Sequence, residues 1–345
     1  MKTKPMTKFA ILALSLVLVA CAGGGSEEAG CPAIDGREIN VVATTPMIGE
    51  FVSQVGGENI NLTVLMPPEA NPHTYEPAPQ DAGTIAEADL VFYTGLLYEP
   101  AALVKLLENS ACSTDILSEV GESVFPIEFK EGGHDDHDDH DDEEGHDDHD
   151  DEEGHDDEEG HDDHEGHNHG AYDPHFWFDP SRVAYAAEYI ESRLIQFDPE
   201  NESSYTSSAD SFVSELNDLT KQVSELISTV PSQNRKLITT HESLGYLEAK
   251  FGLEVLSTII PSLNSANEIS PSDLAGVIDV IEDNNVKVIF IESEAPSVYS
   301  ETIVAETGIK SVTGLYVETL KPGQSYSEFL ISNVTLITEN LQDTD

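Results

Sequence analysis

The sequence predicts an α/β protein of two lobes, each a mainly parallel sheet flanked by helices, with a long helical segment between them. Three observations carry that expectation. Short β-branched or aromatic runs alternate with amphipathic stretches, the arrangement that builds parallel sheets through helical crossovers. The alternation occurs twice, on either side of a stretch whose apolar residues recur at three- and four-residue spacing (Val183 to Phe197, then Phe212, Leu216, Leu219, Val223, Leu226 and Val230). The chain of 345 residues is long enough to bury one large core or two ordinary ones.

At the N-terminus Lys2, Lys4 and Lys8 precede an apolar run of 11 residues, Phe9 to Val19, too short to span a bilayer as a mature helix. The run closes Leu18-Val19-Ala20-Cys21, which looks like a bacterial lipobox. That likeness implies removal of residues 1–20, acylation of Cys21 and a protein held on the outer side of the cell membrane or in the periplasm. An ordinary signal peptide with an incidental Cys21 is the alternative. Residues 21–36, small and polar around Gly23-Gly24-Gly25-Ser26, suit a flexible tether.

The first lobe is expected over 37–180. Strands fit 39–44, 62–66 and 90–93, each followed by Pro or Gly punctuation, and helices fit 47–55 and 100–108. Asp179-Pro180 supplies an N-cap and a first helical residue for the linking helical segment, 181–234, which ends near Pro231. The second lobe, 235–345, offers strands at 236–240, 253–258, 286–291 and 310–317, with helices at 244–251, 271–284, 298–307 and 326–341. Two cysteines remain after Cys21. Cys31 and Cys112 could pair in an oxidising compartment and pin the N-terminal segment to the first lobe, a structural rather than catalytic bond.

Charge narrows the partners. Residues 131–170 hold 22 acidic and no basic residues, so the remainder carries −30 of the net −52. Nucleic acid is not an expected partner, because phosphate recognition needs clustered Lys and Arg. An acidic surface concentrates cations and also confers solubility. The 131–170 segment is composed of Asp, Glu, His and Gly with a single Asn168. Without apolar residues it has nothing to offset the entropy of ordering, so it is expected to be disordered without metal.

Ten of the 13 histidines lie there: His134, His137, His140, His146, His149, His155, His161, His164, His167 and His169. Their spacing among carboxylates suits loose binding of several zinc ions, weakening below neutral pH as the imidazoles protonate. A purely solubilising loop is the plain alternative. Only His73, His175 and His241 stand elsewhere. A lone loop histidine is more often a hydrogen-bonded structural residue than a ligand. Here all three fall in loops or at strand ends, where ligands bind in open α/β sheets. His73 and His175 each follow a proline, which restricts the backbone that must be held when imidazole meets metal. The aromatic run Phe176-Trp177-Phe178 could keep water away.

The stretches Val42-Ala43-Thr44-Thr45-Pro46, Pro72-His73-Thr74-Tyr75-Glu76-Pro77, Asp173-Pro174-His175-Phe176-Trp177-Phe178-Asp179-Pro180, Thr240-His241-Glu242-Ser243-Leu244-Gly245-Tyr246 and Ile289-Phe290-Ile291-Glu292-Ser293-Glu294 resemble the metal-specific (cluster A-I) solute-binding lipoproteins of zinc and manganese ABC importers. The likeness covers nearly all of the exported chain. It implies two similar lobes joined by a long, rigid helix, with metal held between them by His73 and His175 from the first and His241 from the second. Manganese-type members place an Asp a few residues after the strand that here ends at Ile291, where this chain has Glu294, Ala295 and Pro296. Glu294 is therefore the expected fourth ligand, with Glu69, a water or a loop histidine as alternatives. Three imidazoles favour zinc over manganese, which prefers carboxylate oxygen; manganese or iron is the alternative cargo. The resemblance further implies a permease and its ATPase as partners, a lipid anchor in the membrane and a monomer.

Two rival functions belong to other classes. A secreted zinc hydrolase would also use three histidines and an open position. However, His241-Glu242 lacks the second histidine of a His-Glu-x-x-His helix, position 245 being Gly. A surface adhesin or zinc buffer would share the family fold. The expectation is a binding protein, not an enzyme.

Overall fold

The computed structural model describes Cys31, Ile34 and residues 36–68, 70–129, 172–294 and 298–342. Cys21, Glu69 and the ten histidines of the acidic segment lie outside the described residues.

The first lobe runs β1 (Ile39–Ala43), α1 (Pro46–Gly56), β2 (Ile60–Val64), α2 (Pro79–Ala86), β3 (Leu90–Tyr93), α3 (Ala101–Ser110) and β4 (Leu117–Glu119). Its strands are parallel in the order β2-β1-β3-β4. Two helices follow, α4 (Pro180–Phe197) and α5 (Glu202–Ser228). The second lobe comprises β5 (Lys236–His241), α6 (Gly245–Phe251), β6 (Glu254–Ile260), α7 (Pro271–Asn284), β7 (Val288–Glu292), α8 (Val298–Thr307), β8 (Lys310–Leu315) and α9 (Tyr326–Gln342). These strands are also parallel, in the order β6-β5-β7-β8. The two sheets therefore repeat one topology. In each, the crossovers change direction between the first and third strands, and a crevice opens beyond the carboxyl ends of that pair.

Strand alternation divides the core. Ile39, Val41 and Ala43 of β1, with Leu237 of β5 and Phe290 of β7, face one continuous apolar cluster that also takes in α1, α4, α5 and α9. Val42 and Val91 face a separate cluster under α2 and α3, while Ile238, Ile289 and Ile291 face another under α7 and α8. Both lobes thus share one core along the linking helices, and each keeps a private core on its far side. The 27-residue α5 spans about 40 Å and buries Tyr205, Phe212, Leu216, Leu219, Val223 and Ile227 on one stripe.

The helical segment predicted from Val183 onward is broken once. Pro199 has no N–H to donate, and Asp198 closes α4 while its carboxylate accepts from Asn201 Nδ2 and Tyr205 OH, both at 2.7 Å. Elsewhere the starts follow their caps. Thr45 Oγ1 accepts from Ile48 N ahead of Pro46, and Asp179 accepts from Ser181 N ahead of Pro180. The second strand lies two residues earlier than expected, because as an edge strand it is largely exposed and includes polar Asn61. The short β4 and α2 were not anticipated; three residues and eight residues leave too little periodicity to read. Cys31 and Cys112 are joined, their Cα atoms 5.0 Å apart, tying the start of the described chain to the end of α3. Among the described residues no helix is long and apolar enough to cross a membrane.

Candidate metal centre

Three of the predicted residues meet. His73 lies in the loop after β2, in a short turn that Asn71 opens by accepting from His73 N at 2.9 Å, with Pro72 setting the backbone. His175 precedes the buried turn Phe176–Phe178 that leads into α4. His241 is the last residue of β5. The imidazole centroids lie 5.2 to 6.3 Å apart, and His175 and His241 are fully buried.

The fourth member is Glu318, just beyond β8 and likewise buried. One ligand atom from each of His73, His175, His241 and Glu318 lies within 4.8 Å of the others, among the described residues. Glu318 Oε1 is 3.0 Å from both His73 Nε2 and His241 Nε2, and Oε2 is 3.5 Å from His175 Nε2. These are hydrogen-bond-like separations without hydrogen-bond directions: the three Nε2 atoms and Glu318 Oε1 are buried and none makes a hydrogen bond. Buried polar atoms are rarely left so, and four aimed at one point suit a shared cation.

Glu294, the expected fourth group, does not join them. Its Oε1 accepts from Glu318 N at 3.4 Å, its Oε2 is buried without a partner, and burial, then the charge of Glu318, pushes its carboxyl up to about 8. The loop after β7 carries Glu294 to the backbone of Glu318 instead of to the imidazoles. Glu318 is not among the ligands expected from the sequence, because the family likeness points to the residues after the strand that ends near Ile291. The same strand-end rule, applied to the last strand of the lobe, offers Glu318 as a candidate beside Glu294 but does not choose between them.

Glu292 has a different task. Its Oε2 lies 2.5 Å from His241 Nδ1, and its Oε1 accepts from His241 N and Ser243 Oγ, both at 3.2 Å. Asp173 Oδ1 lies 2.8 Å from His175 Nδ1 and accepts from His175 N at 2.9 Å. A carboxylate on Nδ1 fixes the proton there and turns the Nε2 lone pair toward the centre, the usual second partner of a metal-binding imidazole.

Electrostatics agree with a site built for a cation. Burial opposes the charged form of His175, but Asp173 and Glu318 outweigh it and raise its pKa to about 9. His241 is likewise driven up, burial being overcome by Glu292 and Glu318. Burial disfavours a charged Glu318, yet His73 and His241 hold its carboxyl well below the ordinary range. The raised His175 and His241 and the lowered Glu318 thus favour opposite charges side by side, and a metal ion bound to these imidazoles would displace the protons on the nitrogens that it uses.

Aromatic rings wall the centre. Trp177 lies 5.5 Å from the His175 ring, and its Nε1 donates to Val317 O at 2.8 Å, holding the residue before Glu318. Tyr326 OH donates to Trp177 O at 2.7 Å. Tyr98 packs edge-on against His73, His175 and Trp177 at 5.0, 5.9 and 5.3 Å. It follows three consecutive left-handed residues, Gly95, Leu96 and Leu97. Two of these carry side chains, a strain of roughly 1–3 kcal/mol each. Glu99 secures the turn by accepting from Thr44 Oγ1, Thr94 N and Gly95 N at 2.7 to 2.9 Å.

A family model described as "zinc-uptake complex component A periplasmic" matches residues 41–340. The manganese-binding lipoprotein MntA of Halalkalibacterium halodurans is 22% identical over 96% of this chain and 97% of its own length. The high-affinity zinc uptake system protein ZnuA of Bacillus subtilis is 27% identical over 96% of each. Among solved structures, the periplasmic zinc-binding protein TroA from Treponema pallidum superposes with a TM-score of 0.72 at 20% identity, covering 88% of this chain and 99% of that one. Fe(III)-bound YtgA from Chlamydia trachomatis gives 0.70 at 24%, covering 88% and 98%. The structural likenesses carry the two-lobed fold, and the metals named for these proteins differ.

Proposed function

Because the chain belongs to the periplasmic zinc-uptake complex component A family, whose members serve metal ABC transporters as solute-binding proteins, we propose that its own cargo is zinc, held by His73, His175, His241 and Glu318. One observation carries the choice of metal: three buried imidazole nitrogens and a single carboxylate oxygen converge without hydrogen bonds. Imidazole-rich, four-membered donor sets suit zinc, whereas manganese favours six oxygen-rich positions. Manganese is the competing cargo, since relatives are named for both metals. The hydrolase alternative falls with membership of a family of binding proteins.

The protein releases its ion to a permease driven by an ATPase, and the lipid on Cys21 keeps it at the membrane outside the cytoplasm. The relatives named as lipoproteins support that placement. The His-rich segment gathers zinc and passes it on, on the strength of ten imidazoles among carboxylates.

The test is competition between zinc and manganese for protein lacking residues 131–170, with anomalous scattering identifying the ion in crystals. Zinc is expected to bind tighter, and alanine at all three folded-part histidines should abolish its capture. Tighter binding of manganese, or zinc capture that survives the triple replacement, overturns the proposal.

A further inference from the structure

Tyr98 reaches the metal centre from the first lobe and touches a ligand of the second. Its hydroxyl lies 3.0 Å from Glu318 Oε2 and 3.0 Å from the Glu318 carbonyl oxygen, so one proton serves two acceptors on the same residue. The two carboxylate oxygens of Glu318 are therefore unlike. Oε1 is 3.0 Å from two imidazole nitrogens and makes no hydrogen bond, while Oε2 is held by the phenol. The ring is fully buried, and the strained turn at Leu96 and Leu97 directs it inward, a conformation kept at the cost of left-handed backbone.

We infer that Tyr98 is a positioning residue for metal selectivity: by occupying Glu318 Oε2 it restricts Glu318 to a single-oxygen ligand and keeps the site four-coordinate. Freed from the phenol, the carboxylate can offer both oxygens, and the added oxygen suits an ion that accepts more than four ligands. The inference rests on the ligand set proposed above. It adds what selects among ions that the set could hold. The same bond spans the two lobes, so the hydroxyl joins the cleft walls only when they approach as they do here.

Tyr98→Phe keeps the ring and its packing and removes only the hydroxyl. X-ray absorption on the loaded proteins reads the number and distances of metal–oxygen contacts; competition titrations read the zinc-to-manganese affinity ratio. Loss of the hydroxyl is expected to weaken zinc about tenfold, to lower the zinc-to-manganese ratio and to add one oxygen to the metal shell. Melting of the metal-free proteins separates a folding defect from these effects. A variant with unchanged oxygen count and unchanged ratio overturns the role of Tyr98, as does weaker zinc binding with neither change, which would assign the hydroxyl to the Glu318 carbonyl alone. Should the unaltered protein prefer manganese, the zinc assignment fails by itself. The oxygen count in the Tyr98→Phe protein loaded with manganese still decides for or against the phenol.

Discussion

The two lobes repeat one sheet order but hold their proposed histidine ligands by different means. In the second lobe His241 ends β5 and its orienting carboxylate, Glu292, ends the neighbouring β7, so the sheet itself sets both the imidazole and its partner. In the first, His73 and His175 sit in loops, each behind a proline, and the partner of His175 is Asp173, two residues earlier on the same stretch of chain. One lobe positions by strand pairing, the other by restricted local backbone. The lesson is that a metal centre between lobes can pair one wall fixed by register with one wall fixed by sequence-local geometry. Local geometry is legible in a sequence and register is not.

Removing a ligand from either wall is the largest disturbance. His241→Ala and His175→Ala are each expected to lower zinc affinity by more than about 100-fold, since even partners of the ligands cost 10–100-fold. Isothermal titration would show it, and a variant that retains near-native affinity would count that wall as dispensable.

Altering the orienting carboxylates separates the walls more finely. Glu292→Gln and Asp173→Asn should each weaken zinc within about 10–100-fold. Each carboxylate also accepts from the backbone N–H of its own histidine, and the loss should be greater for Glu292, which accepts from Ser243 Oγ as well. Equal losses measured side by side would erase the proposed difference between strand-borne and loop-borne support.

The Cys31–Cys112 bond ties the N-terminal segment to the end of α3 and includes none of the residues that meet at the centre. Replacing both cysteines by serine is expected to cost roughly 2–4 kcal/mol in denaturant unfolding by shortening no native contact but freeing the unfolded chain. Zinc affinity should stay within about twofold, because RT ln 2 is only ~0.4 kcal/mol; a larger fall would mean that this tether reaches the ligand loops.

The smallest effect is in pH. The pKa of His175 rises from 6.5 in the unfolded chain to about 9 in the folded metal-free protein. A raised pKa stabilises the fold fully below 6.5, and that contribution is lost as pH climbs through about 9. Metal-free protein should therefore melt lower at pH 9 than at pH 6, whereas the stabilisation added by zinc should grow over that interval as the displaced proton becomes easier to lose. A smaller fall in metal-free melting temperature between pH 6 and pH 9 in His175→Gln than in the parent would locate the effect at His175, and an equal fall would assign it to the other buried groups, His241 and Glu294.

Much of this architecture could be read before any coordinates. Alternation of β-branched runs with amphipathic stretches marked both sheets, because buried parallel strands and one-faced helices leave periodic apolar patterns. His73, His175 and His241 announced themselves by type and by their places beside prolines or at a strand end. The choice of Glu318 over Glu294, the pairing of Glu292 with His241 and the reach of Tyr98 left no such trace. Tyr98 and Glu318 are 220 residues apart in sequence, and His241 and Glu292 are 51 apart. Glu is abundant in this acidic chain, and a carboxylate's neighbours depend on strand register and on how two lobes close over a shared core. Residue type and local spacing thus determined which imidazoles could serve. Only packing across those long separations decided which oxygen meets them and which hydroxyl holds it there.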